Sequence, residues 1–342
     1  MVERKQALLI FSKPPLPGIV KTRMTKEYGG FLTLEQAAAF YKVCFYDVCE
    51  MGMHALIELQ ERNTEKMAED PEQDKIVYDF FISTTPAESL PKVKEVFDKI
   101  GPWPMEINYL VDTGSSFDEH FNDAFKQLFD MGYENIVSIG GDVPTMPKEH
   151  VKGAFQWLEY FRHYLGKPGF VQAPCQECGT SLVGFSCDTP IDHDGIYYNM
   201  DGRPALDGYV EKLQEAGDIP SAYFDPVADI DEITDLAHAI SCMKAIREAA
   251  KYQPHLFVPH RTLTWVELMG LRVSTPPNEN HDPRDYLDGK VDASDASDAY
   301  DASDALEGEA PTSEDKQRIE EGMAAIRDAQ KAENAYERGK YE

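Results

Sequence analysis

The sequence lacks any long hydrophobic run, and no apolar stretch reaches the ~18 residues that a transmembrane helix requires. Five apolar residues, Ala7–Phe11, precede Ser12, which is too short a run for the core of a signal peptide. Basic residues are also scarce, since 33 Lys and Arg face 61 Asp and Glu, for a formal net charge of -28. This balance argues against nucleic acid or an anionic membrane surface as a partner. We therefore expect a cytoplasmic protein.

Cysteine is scarce as well, with six residues in the chain, and a cytoplasmic setting argues against structural disulfides. Two of them lie in a long apolar helical pattern and are predicted to be core residues: Cys44 and Cys49. Cys175-x-x-Cys178, with Cys187 nearby, has a spacing that suits zinc binding or redox exchange. A tetrahedral site needs a fourth ligand, for which His193 is the nearest candidate, and there is no second cysteine pair. We therefore favour a structural interpretation of these cysteines.

Short apolar runs alternate with helical patterns along the chain, which indicates βαβ units and a mostly parallel sheet. The predicted strands are Ala7–Phe11, Val77–Ser83, Glu106–Val111, Asn135–Ile139, Gly169–Ala173, Ser181–Phe185 and Ala222–Asp225. The predicted helices are Leu34–Gln60, Pro91–Ile100, Phe117–Met131, Lys148–Tyr164, Leu206–Ala216 and Glu232–Tyr252. Asn63–Asp74 is polar and charged, and we interpret it as a surface insertion.

The first predicted strand continues into a loop that combines three prolines, one glycine and three cations. Proline restricts the backbone, whereas Gly18 permits a turn or a close approach by a ligand. Cations on a stiff loop after a strand suit the phosphates of a nucleotide, because open α/β sheets bind ligands at that edge. A solvated basic loop is the alternative, which the acidic background disfavours. The predicted nucleotide-binding residues of the loop are Lys13, Pro14, Gly18, Lys21, Thr22 and Arg23.

A lone carboxylate follows the predicted strand Asn135–Ile139. Gly140 and Gly141 leave room for a ligand beside the backbone, so Gly141 joins the predicted binding residues, and Asp142 comes next. A carboxylate oxygen there suits Mg²⁺ or Mn²⁺ bridging to substrate phosphates. A turn-forming Asp is the structural alternative.

A second carboxylate group lies before the predicted helix Glu232–Tyr252. Asp229 and Asp231 alternate, so both point to one side if this segment is extended. Asp231 is also a candidate N-cap of the helix, although capping explains only one of the two. We predict that Asp142 and Asp231 hold the metal, while Lys21 and Arg23 stabilise charge on the leaving group. The sequence contains no Walker A motif and no Gly-x-Gly-x-x-Gly fingerprint.

These motifs resemble those of a bacterial glycosyltransferase-like family of the nucleotide-diphospho-sugar transferase superfamily, which has the GT-A fold. That family is related to the phospholactate and molybdenum-cofactor guanylyltransferases. The resemblance covers roughly residues 6–271 and rests on four segments in the family's order: Phe11–Arg23, Gly141–Pro144, Asp229–Leu236 and Pro259–Thr262. It implies a three-layer α/β/α domain with a nucleotide, a divalent metal and a small-molecule acceptor.

Two segments depart from the family's pattern. Glu177-Cys178-Gly179-Thr180 stands where the family has Asp-Gly-Gly-Tyr, and Glu177 is then the residue implied to orient or deprotonate the acceptor. Asp118-Glu119-His120 stands where the family has Gly-Glu-Arg, and His120 does not carry the permanent charge of Arg.

We therefore expect a GT-A-like transferase domain over residues 1–274, then a disordered acidic tail. The tail comprises a low-complexity linker at 275–312, in which Asp recurs every third residue, and a helix-prone segment at 313–342. The expected catalytic residues are Lys21, Arg23, Asp142 and Glu177. The first expectation for activity is metal-dependent glycosyl transfer from a nucleotide-diphosphate sugar. Guanylyltransferase-like nucleotidyl transfer to a phosphorylated small molecule and non-catalytic nucleotide binding remain open.

Overall fold

The computed structural model describes residues 2–273 and the short strand Leu306–Glu307. The strands are β1 (Glu3–Phe11), β2 (Lys75–Thr84), β3 (Ile107–Val111), β4 (Tyr133–Gly140), β5 (Phe170–Pro174), β6 (Thr180–Ser186), β7 (Ser221–Tyr223), β8 (Arg272–Val273) and β9 (Leu306–Glu307). The helices are α1 (Leu34–Glu69), α2 (Leu90–Asp98), α3 (Phe117–Asp130), α4 (Lys148–Tyr164), α5 (Ala205–Ala216), α6 (Ile233–Ala250) and α7 (His260–Leu268).

Seven strands form one sheet in the order β3-β2-β1-β4-β6-β5-β7. β1 runs parallel to β2 and β4, and β3 and β7 add in parallel at the two edges. Only β6 is reversed among these strands, pairing antiparallel with both β4 and β5. Phe11 is opposite Gly140 in the register, so the loops that follow β1 and β4 start side by side.

Alternating side chains of β1 point into cores on opposite faces of the sheet. Leu8 and Ile10 pack in the core that includes residues of α1, α2 and α4, whereas Ala7 and Leu9 pack in the core with residues of α3 and α5. Because successive side chains of the strand point to opposite faces and both sets are buried, helices must cover both faces of the sheet. The predicted α/β fold with three layers and a mostly parallel sheet is confirmed.

The α1 helix extends beyond its predicted end and corrects the interpretation of Asn63–Asp74 as a surface insertion. The helix continues to Glu69, and Asn63 is buried within it. The Asn63 amide donates to the Asp74 carbonyl and accepts from the Ile76 backbone, so it anchors the entry to β2. The helix includes residues 63–69 of the predicted insertion, and residues 70–74 form the loop before β2.

The sequence analysis also missed α7, which follows α6 after a short loop. α7, α6 and part of α1 share a third core, which holds Trp265, Ile240 and Phe40. A nine-residue helix is too short to be stable alone, so this packing sustains it. The tail predictions for 275–312, apart from β9, and for 313–342 lie outside the described residues. Among residues 2–273, no helix is both long and apolar enough to cross a membrane.

Candidate functional site

A cleft of about 850 Å³ opens where β1 and β4 end. Its lining comes from the loops that follow β1, β2, β3 and β4, the start of α3, the β5–β6 hairpin and the segment before α6, together with Tyr41 of α1 and Tyr197. Parallel strands bring their carboxyl ends to one edge of the sheet, and the side-by-side loops of β1 and β4 leave a crevice there.

The ammonium group of Lys21 joins two carboxylates at the centre of this cleft. Its Nζ donates to Asp142 Oδ2 at 2.6 Å and to Asp231 Oδ1 at 2.7 Å. Arg23 Nη1 lies 3.5 Å from Asp231 Oδ2, at the outer side of the cluster. The Lys21 side chain is 5% exposed and that of Arg23 is 59% exposed. The structure thus brings together residues from three separate predicted motifs.

The loop after β1 is anchored on both sides of Lys21. Val20 and Met24 are buried, and the short 3₁₀ turn Thr22–Met24 begins directly after Lys21. Lys21 has a φ of 52°, in the left-handed region that side chains rarely adopt. Such a conformation persists when its surroundings impose it, which is common at ligand-binding sites.

The loop after β4 lies directly on α1. A Cβ at Gly141 would be 2.8 Å from the Tyr41 hydroxyl and 3.1 Å from the Phe45 ring, so only glycine fits without displacement. The Asp142 carbonyl accepts from the Ile230 backbone at 3.2 Å. This bond ties the loop after β4 to the segment that carries Asp229 and Asp231.

The N-terminus of α6 is capped by Glu232, not by Asp231 as the alternative interpretation had it. Glu232 and Asp235 form a capping box, and Asp235 Oδ2 accepts from the backbones of Asp231 at 3.0 Å and Glu232 at 2.7 Å. The Asp231 carboxylate therefore serves the cleft rather than the helix.

The cluster places three carboxylates near one largely buried ammonium, while the cations Arg23 and Lys13 are exposed. Burial disfavours a charged Lys21, but Asp142 and Asp231 outweigh it and raise the pKa of the ammonium. Burial also opposes ionisation of Asp231, yet Lys21, with Arg23 and Lys13, holds its pKa below the ordinary value. Asp229 differs, because burial, then the charges of Asp142 and Asp231, outweigh the effect of Lys21 and raise its pKa to about 6.

The donor set of this cluster fits a hard divalent cation. Asp142, Asp229 and Asp231 all line the cleft and offer only carboxylate oxygens, as Mg²⁺ and Mn²⁺ prefer. A single buried ammonium leaves the three carboxylates with a negative excess that a divalent cation would neutralise. Of the sequence-predicted ligands, both Asp142 and Asp231 lie here, and Asp229 adds to them.

Within residues 2–273, two groups outside the cleft bring three ligating atoms within 4.8 Å of one another: Asp47, Glu50 and His260, and Glu134, Glu159 and His163. The three cleft carboxylates do not come this close together. Each of the two groups is already engaged by an arginine. Arg261 pairs with two members of the first group, and Arg4 pairs with two members of the second. Both groups are therefore structural ion-pair clusters.

The remaining predicted binding residues divide between the cleft and its surroundings. Lys13, Thr22, Gly141 and Glu177 line the cleft with Lys21 and Arg23. Pro14 is buried behind the loop and Gly18 is exposed with a φ of +77°, and neither forms part of the lining. These two shape the loop rather than face the cleft.

The cysteines do not form the zinc site considered above. Cys44 and Cys49 are buried, as predicted. Among the described residues, no group of three clustered metal-ligating side chains includes a cysteine. His193 instead lies in the core, stacked on Phe121 with ring centroids 4.2 Å apart, and its Nδ1 is 2.5 Å from the Tyr209 hydroxyl.

One end of the cleft was not predicted from the sequence. Buried Asp112 accepts from the Ser83 hydroxyl at 2.5 Å, and its other oxygen is 2.8 Å from His120 Nδ1. His120 lines the cleft beside Phe117 and Thr85. Ser83 is in β2, Asp112 follows β3 and His120 is in α3, so no local spacing relates them. The sequence pointed only to His120, which stands where the family has Arg.

Comparisons with known proteins agree with this architecture. The family described as an uncharacterized protein conserved in bacteria (DUF2064) matches residues 75–200. A protein described as a nucleotide-diphospho-sugar transferase, from Desulfovibrio desulfuricans G20, is 23% identical, with a TM-score of 0.51, over 72% of this chain and 95% of its own. The two proteins share one fold. The GT-A fold implied by the sequence resemblance is thereby confirmed.

Two further structures are more distant. A cytidylyltransferase from Leptospira borgpetersenii serovar Hardjo-bovis (strain JB197) is 15% identical, with a TM-score of 0.39, over 75% of this chain and 97% of its own. A CMP:2-keto-3-deoxy-manno-octonic acid synthetase complexed with CTP is 10% identical, with a TM-score of 0.38, over 70% and 99%. No functionally curated protein matches the sequence.

Proposed function

We propose that this protein is a cytoplasmic, metal-dependent transferase that moves a glycosyl group from a nucleotide-diphosphate sugar to a small-molecule acceptor. The observation that carries the proposal is the meeting of Lys21, Asp142 and Asp231 in one cleft at the carboxyl ends of β1 and β4. Cations beside clustered carboxylates suit phosphates together with a divalent ion. The fold shared with a nucleotide-diphospho-sugar transferase supports this choice.

In this proposal the basic residues of the first loop contact the phosphates. Lys13 and Arg23 project from the rim, while Lys21 lies at the base of the cleft. Asp142 and Asp231, with Asp229 beside them, would hold Mg²⁺ or Mn²⁺. When bound, the metal neutralises phosphate charge and stabilises the departing nucleoside diphosphate. Lys21 and Arg23 add fixed positive charge to the same leaving group.

The two ends of the cleft suit different parts of the substrates. Toward β3, Phe117 is 42% exposed and lies with Ser115, Ser116 and Thr85 in the lining, a combination of aromatic face and hydroxyls that suits a nucleoside. Toward the β5–β6 hairpin, Glu177 lines the cleft and would orient or deprotonate the acceptor hydroxyl. The nucleoside and acceptor then bind on opposite sides of the phosphates.

Nucleotidyl transfer is the second candidate, and the three cations of the first loop favour it, because they suit a triphosphate. The reaction would join a nucleotide to an acceptor phosphate and release pyrophosphate. Measuring pyrophosphate from each nucleoside triphosphate with a phosphorylated acceptor separates it from glycosyl transfer, which releases a nucleoside diphosphate.

A thermal-shift screen tests the proposal. Nucleoside diphosphates, nucleoside triphosphates and nucleotide sugars are each added with and without Mg²⁺ or Mn²⁺, because a ligand that binds only the folded state raises the melting temperature. We expect a metal-dependent shift with a nucleotide sugar, and its loss in Asp142→Asn. Asp225→Asn, an exposed carboxylate outside the cleft lining, is the matched control and keeps the shift.

The pattern of shifts decides between the candidates. A shift confined to one triphosphate would favour nucleotidyl transfer. Binding without release of either product would favour a non-catalytic nucleotide-binding protein, and no shift with any nucleotide would contradict the proposal.

A further inference from the structure

Lys21 lies where a divalent cation would have to bind. Its Nζ is within hydrogen-bonding distance of one oxygen from Asp142 and one from Asp231, at 2.6 and 2.7 Å. These are the two carboxylates to which the proposed function assigns the metal. One ammonium thus already neutralises part of their charge and occupies oxygens that the metal would need.

This lysine is held in place rather than loosely attached. Its side chain is 5% exposed. Val20 before it and Met24, at the end of the following 3₁₀ turn, are both buried in hydrophobic cores. The ammonium also lies 5.8 Å from the centroid of the Tyr41 ring, which closes the inner side of the site. By contrast, Arg23 is 59% exposed and 3.5 Å from Asp231, so it does not fill the same position.

An ammonium and a divalent cation repel each other when they share carboxylates in a partly buried site, where charges are weakly screened. The group that relieves this conflict is a phosphate, because it accepts hydrogen bonds from the ammonium and supplies negative charge. A nucleotide with two or more phosphates therefore has a role beyond filling the cleft: it would draw Lys21 away from the carboxylates.

We propose that Lys21 is an internal counter-ion that keeps Asp142 and Asp231 from binding a divalent cation until nucleotide phosphates engage its ammonium group. The inference rests on the proposed function and deepens it, since it sets the order in which the two ligands bind. The metal enters with or after the nucleotide. The free protein binds metal weakly even though its carboxylates converge.

The test measures Mn²⁺ binding to the full chain without nucleotide, using the paramagnetic resonance signal of free Mn²⁺. We expect Lys21→Met to bind Mn²⁺ at least about tenfold more tightly than the unmodified protein, because a positive charge is removed from the carboxylates. Adding Asp142→Asn to this variant should abolish the gain. Lys26→Met, which removes an exposed cation from the next turn, is the charge-matched control and should leave Mn²⁺ affinity unchanged.

Folding of each variant is checked by its unfolding transition, and Lys21→Gln replaces Lys21→Met if the latter does not fold. Glutamine removes the charge while keeping a donor for the carboxylates. Equal Mn²⁺ affinity in the unmodified protein and in the neutral variant would overturn the inference, as would an equal gain in Lys26→Met.

The outcome is separable from that of the proposed function. Nucleotide shifts that require metal, together with an unchanged Mn²⁺ affinity in Lys21→Met, would reject the counter-ion role alone. A tighter Mn²⁺ site in Lys21→Met would support competition between ammonium and metal, even if no nucleotide shifted the melting temperature and the proposed transferase function failed.

Discussion

Two ion-pair clusters in this molecule each join one cation to two carboxylates, but one is open to a cleft and the other is buried. Lys21 joins carboxylates from the β4 loop and from the segment before α6, and Arg261 at the start of α7 joins Asp47 and Glu50 of α1. Each connects residues more than 100 positions apart in the sequence. One lies in a cleft and the other is sealed between two helices.

In the sealed cluster the Asp47 carboxylate uses both of its oxygens, whereas Arg261 Nε and Nη2 are buried without a hydrogen-bond partner among the described residues. Asp47 is fully buried and accepts from the Arg261 backbone and side chain, and from the backbone and hydroxyl of Thr262. It therefore caps the first turn of α7 from another helix, where backbone N–H groups have no partner within their own helix. The Pro259–Thr262 segment therefore joins α7 to α1, and Arg261 does not line the cleft.

The cleft cluster differs because it is open to the cleft and has one largely buried ammonium beside three carboxylates. Asp229, with its raised pKa, lies beside two other carboxylates that share one ammonium. Carboxylates with a perturbed pKa that are open to a cleft are suited to bind a ligand. The comparison teaches that access to a cleft, rather than the residue types, separates the candidate site from the structural cluster.

The largest effect should come from breaking the sealed cluster. Asp47→Ala leaves the Arg261 charge and the first amides of α7 without this partner, which should lower the free energy of unfolding by about 3–5 kcal/mol. Chemical denaturation measures this loss in the free energy of unfolding. Asp142→Ala in the cleft is the comparison variant, expected to change stability by about 1 kcal/mol or less because Lys21 keeps Asp231. Equal losses in both variants would erase the distinction between the clusters.

The next effect follows the protonation of Asp229. Its folded-state pKa of about 6 exceeds the ordinary 3.8, so the folded protein binds this proton more tightly than the unfolded chain does. Stability from this group is therefore greatest at low pH and is lost as pH rises from about 4 to 6. Asp229→Asn should not lose this stability as the pH rises. Between pH 4 and pH 7, its free energy of unfolding should therefore rise relative to that of the unmodified protein by at most about 3 kcal/mol.

Denaturation at both pH values without divalent metal is the measurement for Asp229. If the free energies of unfolding of Asp229→Asn and the unmodified protein differ by the same amount at both pH values, the pKa of Asp229 is not raised. Asp225→Asn, at an exposed position outside the cleft, should give no pH-dependent difference.

The smallest effect concerns the cap that positions Asp231. Asp235→Ala removes the acceptor of the Asp231 and Glu232 backbone N–H groups, which should cost about 1 kcal/mol of stability. Because the same loop carries Asp231, we also expect a weaker metal-dependent nucleotide shift. Asp207→Ala, an exposed first-turn carboxylate of α5, tests whether any helix-terminal charge has this effect. A nucleotide shift in Asp235→Ala equal to that of the unmodified protein would mean that the cap does not position Asp231.

Sequence patterns predicted the central strands of the main sheet well because β1, β4, β5 and β6 are largely buried apolar runs. The α1 helix was predicted too short, since its last turns are polar and Asn63 acts only through contacts with Asp74 and β2. α7 was missed because Asp47 and a shared core stabilise it, and neither is visible in its own nine residues.

The sequence by itself determined the alternation of strands and helices, and therefore the α/β fold, because burial imposes local periods on each element. It also placed Lys21, Asp142 and Asp231 in loops that follow or precede elements at one edge of the sheet. Only the tertiary structure decided that one lysine bridges both carboxylates and that Arg261 fastens two helices. Contacts between distant residues depend on strand order and register, and no local pattern encodes them.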